Sequence, residues 1–201
     1  MELNQINLYR ITHIDNVSHV IKNGITHKSS SNANSSFVLI GDKSLIDYRS
    51  DKSVRIDNGN SNFVNAKNII LGEFIPFYFG VRMPMLYVIQ NGGNLVDKAT
   101  KAENIIYIVC PVKTIIDSSS SFYFSDGHAT DGFTSFYDQS KVDELPSLIN
   151  WEAIKTSYWG GDENLNLKRE KQAEFLVQSD IPYNIIASLD LVVIMKLLNK
   201  N

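Results

Sequence analysis

Apolar side chains in this chain come in short bursts: Phe74-Ile75-Pro76-Phe77-Tyr78-Phe79, Ile105-Ile106-Tyr107-Ile108-Val109-Cys110, Phe122-Tyr123-Phe124 and Phe175-Leu176-Val177. Each burst is rich in β-branched and aromatic residues and too brief for an ordinary helix, so each reads as a buried strand. None approaches the roughly 18 to 20 apolar residues that cross a bilayer. Residues 7–12 add a strand of alternating polarity. Helices are predicted after Asp15-Asn16, where Val17, Val20 and Ile21 keep helical spacing up to Gly24, from Pro84 to just before Gly92-Gly93, and over 149–158. A short apolar element is expected at 191–198. Strands and helices mixed in this way predict an α+β fold.

Between these elements lie polar, turn-forming stretches. Residues 28–36 (KSSSNANSS) and 57–68 are loops, with room for a short helix between Ser44 and Asp57. Together they form a long insertion at about 28–72, of the kind that serves as a lid or binding loop. A length of 201 residues suits one domain, 1–201. The formal charge of -3 gives no global field to attract a polyanion. The lone Cys110 excludes an internal disulfide and a cysteine-rich metal site, and reads as a core residue. The first residues have neither the basic region nor the apolar stretch of a signal peptide, which predicts a cytoplasmic protein.

No phosphate-cradling Gly-rich loop, dinucleotide fingerprint, Gly-x-Ser-x-Gly or His-Glu-x-x-His pattern is present. What stands out is KREKQAEFLV, residues 168–177, where a carboxylate, Glu174, sits at the mouth of a buried strand. Held there, it could hydrogen-bond a sugar hydroxyl or take a proton; by pattern alone it could equally face outward. Arg49 could fork onto a pyrophosphate or be a solvated helix residue. His128, after the turn Ser125-Asp126-Gly127, is either a site residue or a structural one. Arg10-Ile11-Thr12-His13 offers donors and a hydroxyl at the end of the first strand, or simple turn bonding.

Four motifs in order carry more weight than any one. Tyr9-Arg10-Ile11-Thr12-His13-Ile14-Asp15-Asn16, Pro76-Phe77-Tyr78-Phe79 followed by Met83-Pro84-Met85-Leu86-Tyr87, Phe124-Ser125-Asp126-Gly127-His128, and Lys171-Gln172-Ala173-Glu174-Phe175-Leu176-Val177 resemble the DarT toxins, ADP-ribosyltransferases that modify DNA bases using NAD. The likeness runs from about residue 8 to 178. It implies the ADP-ribosyltransferase fold, two small β-sheets around an NAD cleft with helices outside, and NAD as co-substrate without a metal.

By the same resemblance Glu174 is the catalytic glutamate, Arg49 the arginine of the loop that covers NAD, and His128 an active-site histidine. Arg10, Thr12 and His13 lie on the cofactor's edge, while Tyr78 and Phe79 pack either on nicotinamide or in the core. Lys168, Arg169 and Lys171 would track the backbone of single-stranded DNA; Lys168 stands where some relatives have arginine, keeping the charge without the planar fork. The resemblance further implies an antitoxin with ADP-ribosyl hydrolase activity of the macrodomain type, and a monomeric toxin is expected. Thymine and guanine are both open as the acceptor base. Transfer to RNA or protein, or an idle nucleotide-binding module, is the alternative.

Overall fold

The computed structural model describes residues 1–92, 96, 98–118 and 120–186; the element expected at 191–198 lies outside the described residues. In chain order the elements are β1 (Asn7–His13), α1 (Val17–Asn23), α2 (Lys43–Asp51), β2 (Ser53–Ile56), β3 (Lys67–Ile70), β4 (Ile75–Tyr78), α3 (Pro84–Asn91), β5 (Ile105–Pro111), α4 (Val112–Asp117), β6 (Phe122–Ser125), β7 (Phe136–Tyr137), α5 (Leu145–Leu148), α6 (Trp151–Lys155), α7 (Leu165–Glu170), β8 (Glu174–Val177) and α8 (Tyr183–Ile186). The apolar bursts are strands, as their composition predicts. Gly24, with φ 79°, ends α1 in a conformation that favours glycine.

One antiparallel sheet of six strands, in the order β5-β1-β4-β8-β6-β7, carries the fold, and β2 and β3 form a second, two-stranded sheet. The large sheet has a waist. β1 pairs with β5 along seven residues, from Asn7↔Pro111 to His13↔Ile105, and β4 pairs with β8 along four. Between β1 and β4 the only registered pair is Tyr9↔Tyr78. The sheet is thus two narrower sheets joined at one point, and Glu174 stands beside that point as the cross-strand partner of Tyr78.

Strand alternation sorts the side chains around it. Ile75, Phe77, Phe79, Ala173, Phe175 and Val177 belong to the main core cluster, where Phe175 stacks on Phe122 with ring centroids 4.8 Å apart. Tyr78 joins Met83, Leu86 and Ile89 in a separate cluster. Leu176 packs with Phe74 and Tyr123 in a third.

Two expectations need correction. Within the insertion read as mostly loop, α2 is followed by paired strands, Ser53↔Ile70 through Ile56↔Lys67; strands of four residues with only one or two side chains buried in each leave little signature. The helix expected over 149–158 is shorter, α6 alone: the Asn150 side chain accepts from the Ala153 amide at 3.1 Å and starts it, and it ends at Lys155.

Candidate active site

Glu174 is fully buried, and each of its bonds has a local cause. Its amide donates to Ser125 Oγ at 3.2 Å, just beyond the last β6–β8 pair, Phe124↔Phe175. Its carboxylate receives the Ala129 amide at 3.0 Å and both arms of Arg49, Nη1 to Oε1 at 2.9 Å and Nη2 to Oε2 at 2.7 Å. Burial alone would push the carboxyl pKa up; the Arg49 charge and fork, helped by His128 and the Ala129 amide, more than offset this and hold it below its ordinary value. The group is an anion at neutral pH. Burial pulls the Arg49 pKa down, but Glu174 outweighs it and leaves the net shift upward.

Arg49 lies in the last turn of α2, which Asp42 starts by accepting from the Ser44 and Leu45 amides. The helix is seated on Gly72: a methyl there would overlap the Ser50 backbone. Gly72→Ala is therefore expected to displace α2, destabilising the protein by about 1–3 kcal/mol as overpacked sites do. Thermal unfolding would register the loss, and an unchanged Tm would mean that α2 is not seated there.

Arg10, donating to the Pro76 carbonyl at 2.9 Å, is pushed down to about 10, first by burial and also by the Arg49 charge, with Tyr78 opposing. It keeps its proton at pH 7. Burial raises Tyr78, and the negative charge of Glu174 raises it further. Burial likewise lowers His128, more than Glu174 raises it, so the ring is neutral. The Thr130 amide can only donate, and it approaches His128 Nδ1 at 3.4 Å, so Nδ1 accepts and the ring proton sits on Nε2. Arg49, Arg10, Tyr78, His128 and Glu174 thus form one electrostatically coupled group. The group holds two arginines and one carboxylate, an excess of positive charge that fits a pyrophosphate.

A family model described as "ssDNA thymidine ADP-ribosyltransferase, DarT" matches residues 9–193. The chain belongs to the DarT family. It is similar to a DNA ADP-ribosyl transferase of Thermus sp. (strain 2.9), with 30% identity over 90% of this chain and 79% of the relative. A fusion of a DNA ADP-ribosyl transferase with a DNA ADP-ribosyl glycohydrolase, from Thermosipho africanus, is 26% identical over 90% of this chain and 41% of its own length. Among solved structures, Thermus sp. 2.9 DarT in complex with ADP-ribosylated ssDNA aligns with TM-score 0.72 and 27% identity, covering 90% of this chain and 78% of that one. The same protein in complex with NAD+ gives TM-score 0.66 and 26% identity over 90% and 79%.

Several residues that the DarT resemblance singled out have other duties in this fold. Phe79 is a core residue, 4% exposed, with its ring edge-on to Trp151 and Phe175; it follows Tyr78 and so takes the opposite side of the strand. Lys171 is 1% exposed, with Nζ donating to the Ile154 and Thr156 carbonyls at 2.9 and 2.6 Å and lying over the Trp159 ring. Arg169 pairs with Asp126 at 3.0 Å and its carbonyl receives the His128 amide, tying α7 to the His128 turn. Neither is available to track DNA; of the three basic residues, only Lys168 is exposed. The fold places both arms of Arg49 on Glu174.

Thr12 and His13 are engaged locally. His13 Nδ1 accepts from the Asp15 amide, while Thr12 Oγ1 accepts from Asn16. Asn16 also donates to the Val38 carbonyl and accepts from the Val38 amide, pinning the insertion to the end of β1. Sequence reading gave Asn16 no site role of its own, and missed Ala129 because a backbone donor has no side-chain signature.

Burial pushes Lys171 down to about 8, so it is charged at pH 7. Lys171→Met should strip two carbonyls of a charged donor and cost about 1.5–3 kcal/mol. Amide exchange should quicken over 154–159; unchanged exchange and Tm would show that the tether is idle.

Among the described residues no group of His, Cys, Asp or Glu could hold a metal ion, and no helix is long and apolar enough to cross a membrane.

Proposed function

We propose that this chain transfers ADP-ribose from NAD to thymidine in single-stranded DNA, and that it acts as the cytoplasmic toxin of a toxin–antitoxin pair. The observation carrying this reading is the buried, ionised Glu174 held by Arg49 and the Ala129 amide in a chain of the DarT family. Breaking the bond between nicotinamide and ribose sends its electron pair to nicotinamide and leaves positive charge on the sugar, as in glycoside chemistry. A fixed carboxylate stabilises that charge more in the transition state than in the ground state.

Thymidine has a single ring N–H, because its other ring nitrogen carries the deoxyribose. The lone pair left when that proton goes forms the new bond to the ribose carbon, and Glu174 takes the proton. Arg10 and Arg49 supply positive charge for the pyrophosphate, and neutral His128 offers an Nε2 donor. Base pairing hides the reacting N–H, so the acceptor must be unpaired or flipped out. Fusion of a relative to a DNA ADP-ribosyl glycohydrolase supports an antitoxin that removes the mark.

Labelled NAD incubated separately with single-stranded DNA, RNA and protein tests the reading. Label on DNA is expected. Label confined to RNA or protein would replace the acceptor, and an absence of nicotinamide release would reduce the chain to a binding module.

A further inference from the structure

A groove of about 500 Å³ runs between β2 and the loop 129–135. Ala129 belongs to both the active site and the groove: its amide donates to the Glu174 carboxylate and the residue lines the groove. That volume falls within the range of about 300–1,000 Å³ typical of small-ligand sites, enough for one nucleotide.

The groove presents an aromatic ring and cations. Phe133 is 88% exposed on a loop that is firmly held: its amide donates to Asp131 at 2.9 Å, Thr134 Oγ1 to the His128 carbonyl at 2.8 Å, and the Ser135 amide to Asp126 at 2.9 Å. On the β2 wall Val54 and Ile56 point into the core and Arg55 points out. The Arg55 side chain is 55% exposed and loosely held, 3.9 Å from Asp57 and 3.4 Å from the Ser61 carbonyl. Lys52 lines the same wall. Asp57 and Asp131 also line it, and each already accepts a backbone amide, Gly59 and Phe133 respectively. An exposed aromatic face beside cations is how proteins take up a single strand, stacking a base and pairing its phosphate.

We propose that this groove holds the nucleotide next to the acceptor thymidine, its base stacked on Phe133 and its phosphate on Arg55. The inference rests on the DNA-transfer reading above. It gives the enzyme a second reason to refuse duplex: the ring takes the place of the neighbouring stacked base.

Steady-state transfer to a thymidine-containing oligonucleotide, together with NAD titration, tests it. Phe133→Ala should raise KM for the oligonucleotide about tenfold or more, and Phe133→Trp should restore it. Arg55→Gln should flatten the salt dependence of DNA binding by about one phosphate contact, a slope change of about 0.7. NAD affinity stays at the wild-type value in all three, which separates a DNA subsite from a disturbed catalytic centre. Wild-type KM in Phe133→Ala with a wild-type salt slope in Arg55→Gln overturns the subsite while leaving DNA transfer intact. Failure of the unaltered chain to label DNA overturns the functional reading and the subsite together.

Discussion

Glu174→Gln should lower the turnover of ADP-ribose transfer by about 10²- to 10⁴-fold, the range lost with a positioned general base, with little change in KM for NAD. The substitution keeps the shape of the side chain and an oxygen that can accept the Ala129 amide. It removes the negative charge. Since that charge matters most when the sugar becomes cationic, the loss belongs to kcat rather than to ground-state binding. Circular dichroism should be unchanged, because the packing of β8 rests on Phe175, Leu176 and Val177, all fully buried. A Gln variant with wild-type turnover would remove Glu174 from the chemistry.

Arg49→Ala should have two separable consequences. Losing a charge-assisted contact to pyrophosphate should weaken NAD affinity by about 1.5–3 kcal/mol. It also leaves a fully buried carboxylate without its cation, and breaking such pairs typically costs about 3–5 kcal/mol. The sign of the pH dependence follows from the cause of the shift. In the wild type the Glu174 pKa is depressed, so its contribution to stability is present above its ordinary value of 4.5 and is lost as pH falls through the lower folded value. Without Arg49 burial pushes that pKa up instead. The stability gap between wild type and variant should therefore be widest above the variant's raised pKa, begin to close as pH falls through that value, and finish closing below 4.5 at the wild type's lowered one. Chemical denaturation at several pH values would show this, and a gap independent of pH would mean that the Arg49–Glu174 pair does not stabilise the fold.

Much of this architecture is legible in the residues, because a buried strand must be apolar. What sequence reasoning lacked was the neighbourhood. Lys171 reads as one more cation in a run of charges, yet its partners are carbonyls at the end of α6, 17 and 15 residues away in the chain. Arg169 likewise finds Asp126 across the fold. Phe79 was decidable in principle: adjacent strand residues face opposite sides, so Tyr78 at the waist of the sheet leaves Phe79 to the core. Arg49 was identified as a site arginine, but its observed partner depends on how α2 settles against Gly72, which no local pattern encodes.

The most direct measurement is mass spectrometry of nucleosides released from single-stranded oligonucleotides after incubation with NAD and either the wild-type chain or Glu174→Gln. The account predicts ADP-ribosylated thymidine with the wild type and none above background with the variant. An adduct confined to guanosine, or equal thymidine labelling by both proteins, would contradict it.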